Sequence, residues 1–214
     1  AQVEHNSQSS LLKKGKDPIK DQAYVLWGIP HHTLSRTLFP LGNLTKAEVR
    51  QIARESELET AETPESMEIC FVADNNYKRF LSEYTPERIS QVGEGEIINN
   101  DGKVLGKHSG YTNYTIGQRK GLGISSSKPK YVSTIDPKKN QITIGRKEEL
   151  KKNTCNVSNV NWLVKDLNFP LKVQSQIRYN SAVVDSVIHS KGKKIIVEFN
   201  SPQIAITPGQ SIVF

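Results

Sequence analysis

The two cysteines, Cys70 and Cys155, offer the most reactive side chains in this chain of 214 residues. A thiol acts as a nucleophile when it is exposed and its pKa is depressed. Cys70 stands between Ile69 and Phe71, and these apolar neighbours favour a buried, inert thiol. From the residues alone, a reactive Cys70 and a packed Cys70 both stay open. Cys155 lies in the stretch KKNTCNVSN, where we find no chemistry.

Neither the cysteines nor the histidines have the spacing of a metal site, so we predict no metal in this chain. The histidines are His5, His31, His32, His108 and His189. Cysteines without a C-x-x-C pair are typical of the reducing cytoplasm. The sequence shows no signal-peptide pattern and no apolar run of the ~18–20 residues that span a bilayer. We therefore expect a cytoplasmic protein without membrane contact.

The net charge of +7 favours an anionic partner, of which nucleic acid is the commonest large one. The alternative is a solvated, lysine-rich surface without a partner. A candidate contact is the loop YTIGQRKGLGI, in which Gln118, Arg119 and Lys120 lie between two glycines. Glycines let a backbone approach closely and the basic pair suits a phosphate, although the loop has no Walker or dinucleotide signature. A charged turn between strands explains the same residues.

Two shorter segments could also contact RNA. Lys20, Asp21 and Gln22 combine a phosphate-binding cation with groups that bond to base edges or ribose, unless they form an ordinary solvated helix face. Arg178 and Tyr179 could pair a phosphate contact with a stacking ring. The alternation of LKVQSQIRYN predicts that Arg178 points outward and Tyr179 inward, which favours core packing for Tyr179.

The elements that carry these residues divide the chain into a helical first third, a mixed middle and an all-β end. After an irregular first ten residues, Asp17 and Pro18 predict a helix start. Thr45 and Glu48 predict a capping box for a second helix, and residues 77–84 have the apolar spacing of a third. Because these helices have no sheet of their own to pack against, the chain is expected to be a piece of something longer.

From about residue 90 the pattern has the period of strands. Hairpins are predicted at residues 95–106 and 131–145, a strand at 171–180, and two strands joined near Lys191 and Gly192. A last strand pair is predicted around Pro208 and Gly209. Strands this short and closely spaced favour a small barrel or sandwich.

Together, the motifs resemble the bacterial-type tRNA-uridine 2-sulfurtransferases, or tRNA-specific 2-thiouridylases. The matching stretches follow the family's order and cover nearly the whole chain. They are LLKKGKDPIKDQAYVLWGI, LSRTLFPLGNLTKAEVRQIA, SMEICFV, DGKVLGKHSGYTNYTIGQRKGLGI and TPGQSIVF. The resemblance implies that residues 1–72 are the C-terminal end of an ATP-pyrophosphatase domain, 73–147 a central domain and 148–214 a C-terminal β-barrel, which could be truncated.

The expected fold class is therefore α+β and β-rich. It combines a helical remnant of an α/β ATP-pyrophosphatase domain, a small mixed central domain and an antiparallel β-barrel. The resemblance also implies ATP-dependent 2-thiolation of the wobble uridine of tRNA. ATP adenylates the 2-oxygen, and a cysteine persulfide, which is a soft nucleophile, delivers sulfur to the same carbon. The target base must leave its stack to be reached. The implied sulfur donor is a sulfur-carrier protein or a cysteine desulfurase.

Carried over by position, Cys70 matches the family's persulfide-bearing cysteine, and we expect it on a mobile or switchable segment. The positions that match tRNA-contacting segments are Lys20, Asp21, Gln22, Arg178, Tyr179 and Gln210. Gln118, Arg119 and Lys120 are expected to add a further RNA contact.

Two features of the family are absent from this sequence, namely the glycine-rich ATP signature and the other catalytic cysteine. Both are expected upstream of residue 1, so ATP is expected to bind outside this chain, and the chain alone is expected to be inactive. A smaller departure is Lys130, where the family often has an aromatic residue. The alternative function is a non-catalytic RNA-binding module in which Cys70 is packing. A purely structural domain is a third interpretation.

Overall fold

The computed structural model of the chain describes residues 1–5, 9–64, 72, 74, 76–192 and 194–214. Cys70 lies outside these residues, so the structure does not test the prediction that its segment is mobile or switchable.

The chain forms two compact units. The first contains Ala1–Glu65, Asn156–Asn200 and Ser211–Phe214, and the second contains Ser66–Cys155 and Ser201–Gln210. Residues from both ends of the sequence therefore share the first unit, and the candidate segments around Asp21 and Tyr179 both belong to it.

The N-terminus is a β-hairpin. Strand β1 (Gln2–His5) pairs antiparallel with β2 (Ser10–Lys13), and the Gln2 side chain donates a hydrogen bond to the Gly42 carbonyl over 2.9 Å. The prediction of an irregular end over the first ten residues is wrong. A strand this short has too few residues to show a period, and its backbone hydrogen bonds come from a partner that local composition does not reveal.

Asp17 caps a turn, but no α-helix follows it. Its carboxylate accepts hydrogen bonds from the backbone N–H groups of Ile19 and Lys20, at 2.9 and 3.0 Å. The chain then forms a 3-10 helix over Ala23–Leu26, so the predicted α-helix at this position is wrong. The other oxygen of Asp17 accepts from the N–H of Lys46 over 2.9 Å, which ties the turn to a distant part of the chain.

Two α-helices follow in the first unit, α1 (His31–Leu34) and α2 (Lys46–Glu55). The predicted capping box of α2 is confirmed. The Thr45 hydroxyl accepts from the N–H of Glu48, and the Glu48 carboxylate accepts from the N–H of Thr45. This reciprocal pair satisfies two of the N–H groups that a helix start leaves without partners.

A four-stranded sheet has the strand order β7-β10-β9-β8. Its strands are β7 (Lys151–Val157), β8 (Leu171–Ser175), β9 (Val184–Lys191) and β10 (Lys194–Ile204). The pairs β8–β9 and β9–β10 are antiparallel, which confirms the two strands predicted to join near Lys191 and Gly192.

The last strand pair around Pro208 and Gly209 is not formed as predicted. A turn does occur there, closed by a hydrogen bond from the N–H of Gln210 to the Thr207 carbonyl over 3.2 Å. Beyond it, Val213 forms a single bridge with Gln176, at 2.8 and 3.0 Å. The bridge is a long-range pairing, which an alternation read along the chain cannot assign.

The second unit contains helices α3 (Tyr77–Tyr84) and α4 (Pro86–Val92) and a sheet of order β4-β3-β6-β5. Its strands are β3 (Gly95–Ile98), β4 (Val104–His108), β5 (Tyr131–Asp136) and β6 (Gln141–Gly145). Both predicted hairpins are confirmed, and a parallel pairing of β3 with β6 joins them. The buried core of this sheet consists of Ile97, Leu122, Val132, Ile142 and Ile144.

The described chain is thus α+β and rich in β-structure, with one two-stranded and two four-stranded sheets. Its strands do not close into a barrel over the ranges that the structure describes. Among the same residues, no helix combines the length and the apolar character that crossing a bilayer requires.

Candidate nucleic-acid interface

Two of the candidate segments meet in the first unit. The Tyr179 hydroxyl donates a hydrogen bond to the backbone carbonyl of Asp21 over 3.3 Å, between residues 158 positions apart. The Tyr179 ring lies against the Tyr24 ring, with centroids 6.1 Å apart and planes inclined at 60°. The segments 20–22 and 178–179 therefore form one surface, which we name the Tyr179 surface.

Tyr24 anchors this surface to the chain end. Its hydroxyl donates to the carbonyl of Ser211 over 2.7 Å. Burial raises the pKa of Tyr24 above its usual range, and the nearby charge of Arg178 opposes that shift. Because the charge of Arg178 acts on Tyr24 and Arg178 directly precedes Tyr179 in the chain, the cation and both tyrosines occupy one neighbourhood.

Tyr179 is 41% exposed and Arg178 is half-buried. The prediction from strand alternation had the two reversed and is wrong for this pair. The alternation holds through the buried Ile177, but β8 ends at Ser175 and a turn follows, in which the N–H of Ser181 bonds to the Arg178 carbonyl over 3.0 Å. Because the turn ends the two-residue period, Tyr179 faces solvent.

The three residues of the segment 20–22 differ in exposure and in structural role. Lys20 and Gln22 are exposed, whereas the Asp21 side chain retains only 11% of its exposure. One oxygen of Asp21 accepts a hydrogen bond from the N–H of Gly15 over 2.7 Å. Asp21 is therefore engaged within the fold, where it holds the loop that presents its two neighbours.

Gln210 and the loop with Gln118 belong to the second unit. Gln210 is exposed in the turn that follows Thr207. Gln118 is committed to its own loop, because its side chain accepts from the N–H of Thr115 over 3.0 Å and donates to the Lys120 carbonyl over 2.9 Å. Of the three predicted loop residues, Arg119 and Lys120 are exposed to solvent.

Next to this loop lies a surface cleft of about 350 Å³, which we name the cationic cleft. Its lining comprises Arg119, Gly121, Leu122, Gly123, Ile124, Ser125, Ser126, Lys128, Pro129 and Lys130. Sequence reasoning found Arg119 but missed Lys128 and Lys130, which come from the run SSSKPK. The signal available was the two lysines that follow a serine run within ten residues of the glycines.

The described cysteine, Cys155, lies half-buried in β7. Burial raises the pKa of its thiol, which keeps it protonated at neutral pH. Among the described residues, we find no group of three histidine, cysteine or acidic residues that could hold a metal ion.

Families of known proteins match successive parts of the chain. Residues 1–74 match the tRNA methyl transferase HUP domain, residues 78–146 the tRNA methyl transferase PRC-barrel domain, and residues 152–214 the aminomethyltransferase beta-barrel domain. Curated relatives match the chain continuously, across the boundaries between these three parts. The chain is 48% identical to the tRNA-specific 2-thiouridylase MnmA of Halothermothrix orenii, over 99% of its length.

The identity is 46% to the protein of the same name from Carboxydothermus hydrogenoformans, over 95% of this chain, and 41% to that from Chlorobium phaeobacteroides, over 100%. The chain belongs to the tRNA-specific 2-thiouridylase family. The resemblance predicted from the motifs is confirmed. The chain spans 59%, 55% and 60% of these three 2-thiouridylases, somewhat more than half of each.

Proposed function

We propose that this chain is part of a tRNA-modifying sulfurtransferase that thiolates the 2-position of the wobble uridine in an ATP-dependent reaction. The observation that carries the proposal is the kinship with relatives named tRNA-specific 2-thiouridylases over nearly the whole chain. We further propose three domains, at residues 1–72, 73–147 and 148–214. The matches to three successive families support this division, and the last domain is proposed to complete a β-barrel in the whole protein.

In this proposal Cys70 carries the persulfide. ATP supplies the activation that makes the uracil 2-oxygen a leaving group. The outer sulfur of the persulfide attacks carbon 2, and the former oxygen leaves with AMP. A second thiol, which the family resemblance assigns to a cysteine outside this sequence, then attacks the Sγ atom of Cys70. The S–S bond breaks, the outer sulfur stays on carbon 2, and the two cysteines form a disulfide.

The chain's own residues are not proposed to hold ATP, because the sequence has no phosphate-binding glycine signature of the Walker or dinucleotide kind. They are proposed to bind tRNA. On the Tyr179 surface, the exposed ring of Tyr179 offers a stacking face for a base, and Arg178 and Lys20 offer charge to phosphates. Asp21 serves as a positioning residue, since its carboxylate is engaged with Gly15.

Gln22 and Gln210 are proposed as exposed amides that bond to RNA. Arg119 and Lys120 are proposed to add phosphate contacts, with Gln118 holding their loop. The sulfur donor, a sulfur-carrier protein or a cysteine desulfurase, remains a prediction of the resemblance. The cytoplasmic setting remains a prediction from the cysteine usage.

A labelling experiment tests the assignment of Cys70. The chain is incubated with a cysteine desulfurase and radiolabelled cysteine, and protein-bound persulfide is measured before and after reduction. The wild-type chain and a Cys155→Ser variant are expected to retain reducible label, whereas Cys70→Ser loses it. Label that persists in Cys70→Ser but disappears in Cys155→Ser would reverse the assignment.

A non-catalytic RNA-binding module is the second candidate. The Tyr179 surface favours it, because an exposed ring beside cations binds RNA without any thiol. This candidate predicts an unlabelled Cys70 in a chain that binds tRNA. A chain that binds no tRNA in a gel-shift titration would instead favour a purely structural domain.

A further inference from the structure

We propose that the cationic cleft of the second unit binds a phosphate group of the tRNA backbone. The inference rests on the proposed function, and it assigns a specific subsite to a part of the chain outside the Tyr179 surface. Its three cations are Arg119, Lys128 and Lys130.

The loop that forms the cleft is anchored from both sides. Leu122 is 7% exposed and belongs to the buried core, and Ile124 packs against that core. The flanking Gly121 and Gly123 have φ angles of +73° and +67°, which residues with a Cβ adopt at a cost. These two glycines let the chain reverse around Leu122, so that its side chain is buried while its neighbours line the cleft.

The start of the loop is joined to β5. The N–H of Gly117 donates to the Val132 carbonyl over 2.8 Å, and the N–H of Val132 donates to the Gln118 carbonyl over 3.0 Å. With the Gln118 side chain bonded to Thr115 and Lys120, the loop is held in place before any ligand arrives. A site formed in advance loses less conformational entropy on binding.

Among the described residues, the charge of the cleft has no counter-charge. Its lining includes three cations and no acidic side chain. Within the ranges that the structure describes, Arg119, Lys128 and Lys130 form no ion pair. Like charges held together without a counter-charge are unfavourable, and an anion relieves that repulsion. Arginine binds phosphate oxygens in a bidentate manner and lysine adds a point charge.

The lining chemistry selects a phosphate over a base. Besides the cations it presents the hydroxyls of Ser125 and Ser126, which donate hydrogen bonds to phosphate oxygens. It contains no aromatic ring on which a base could stack. The cleft volume of about 350 Å³ is at the low end of the range of ligand sites. Its lysines and arginine are at the surface, where an extended RNA backbone can reach them.

The test measures tRNA binding by the full 214-residue chain as a function of salt. Each phosphate contact contributes about 0.7 to 0.9 to the slope of log K against log salt concentration. We expect the triple variant Arg119→Ala, Lys128→Ala, Lys130→Ala to lower the slope by about 0.7 to 0.9, the loss of the one phosphate contact, and each single variant to lower it by part of that amount. Arg119→Lys keeps the charge and is expected to keep the slope.

Lys138→Ala is the matched control. Lys138 is an exposed lysine of the same unit that follows β5, whereas Lys130 precedes it. The six residues of β5 place the two ends about 17 Å apart. The control is expected to leave the slope unchanged. If the wild-type chain binds tRNA and the cleft variants have the same salt slope as Lys138→Ala, the proposed phosphate site is overturned and the proposed function stands. A wild-type chain that binds no tRNA overturns both.

A second measurement separates an RNA phosphate from free phosphate. The amide signals of Gly121 and Gly123 are followed by NMR during titration with tRNA and, separately, with inorganic phosphate. We expect tRNA to shift both signals at concentrations far below those at which phosphate acts. Saturable shifts with inorganic phosphate at submillimolar concentration, with no response to tRNA, would assign the cleft to a free phosphate and overturn the proposal.

Discussion

The Tyr179 hydroxyl donates a hydrogen bond to the backbone carbonyl of Asp21, with the two oxygens 3.3 Å apart. This contact joins two segments that the sequence places 158 positions apart. It also brings the exposed Tyr179 side chain to the backbone of Asp21, whose neighbours in the chain, Lys20 and Gln22, are exposed. The surface proposed to bind tRNA is therefore a product of the fold of the first unit.

Removal of the Tyr179 ring is expected to weaken tRNA binding. Stacking of a base on an aromatic side chain contributes about 1–3 kcal/mol, so Tyr179→Ala should raise the Kd roughly 5- to 150-fold. Tyr179→Phe keeps the stacking face and loses only one weak hydrogen bond, so its Kd should remain within about threefold of the wild-type value. Fluorescence anisotropy with labelled tRNA measures both.

Tyr84 provides the control for that series, since it is a 72% exposed tyrosine of the second unit outside the proposed contacts. Tyr84→Ala is expected to leave the Kd unchanged. Equal losses in Tyr84→Ala and Tyr179→Ala would show that stacking on Tyr179 is not a specific contribution.

The two cysteines are expected to differ in reactivity. Burial raises the pKa of the Cys155 thiol, so the thiolate that reacts with iodoacetamide is scarce at pH 7. The proposed role of Cys70 predicts faster labelling of Cys70 than of Cys155 at that pH. Labelling of Cys155 should accelerate as the pH rises towards the raised pKa of its thiol. Mass spectrometry of the peptides measures both rates from pH 6 to 10.

Unfolding in denaturant gives the reference rates for this comparison, because both thiols then have ordinary pKa values and should react alike. Faster labelling of Cys155 in the folded chain would contradict the prediction.

Loss of the α2 cap is expected to destabilise the first unit. The Thr45 hydroxyl accepts from the N–H of Glu48 over 3.3 Å, and removal of such a cap costs about 1 kcal/mol. Thr45→Ala should lower the free energy of unfolding by that amount, whereas Thr45→Ser keeps the hydroxyl and should change it little. Urea denaturation followed by circular dichroism measures the difference, and equal stabilities would show that the cap contributes nothing.

Glu48 is expected to make stability depend on pH. The Lys16 ammonium donates to its carboxylate, as do the Thr45 N–H and hydroxyl, and together they lower the pKa of Glu48 to about 2. A carboxyl whose pKa is lower in the folded state stabilises it above the unfolded value of 4.5. That contribution is lost as the pH falls from about 4.5 towards about 2. Thermal melts of Glu48→Gln should show a smaller loss over this interval than wild type.

Gly95 is expected to tolerate no side chain. A Cβ at this position would lie 1.9 Å from the Asn140 carbonyl oxygen and 2.6 Å from the buried His108 ring. Gly95→Ala should therefore cost at least about 1–3 kcal/mol, the range of an overpacked core. Gly28→Ala is the control, since a Cβ there meets nothing within 4 Å. Similar melting temperatures for the two variants would contradict this reason.

Much of the local structure follows from the sequence. Thr45 and Glu48 specify the start of α2, and both predicted hairpins of the second unit form, because a capping box and a short turn act within a few residues. The family is also recognisable from ordered motifs. Asp17 shows the limit of such reasoning, because it caps as expected but a 3-10 helix replaces the α-helix.

The sequence by itself determined the type of helices α2 and α3 and of strands β3 to β6 and β8 to β10, the basic charge and the family. Only the tertiary structure decided that Tyr179 faces solvent beside Asp21, that Asp21 and Gln118 are engaged within the fold, and that Lys128 and Lys130 share a cleft with Arg119. The reason is the range of the interactions. Caps and turns are satisfied by neighbours in the chain, whereas surfaces are assembled from segments that only packing brings together.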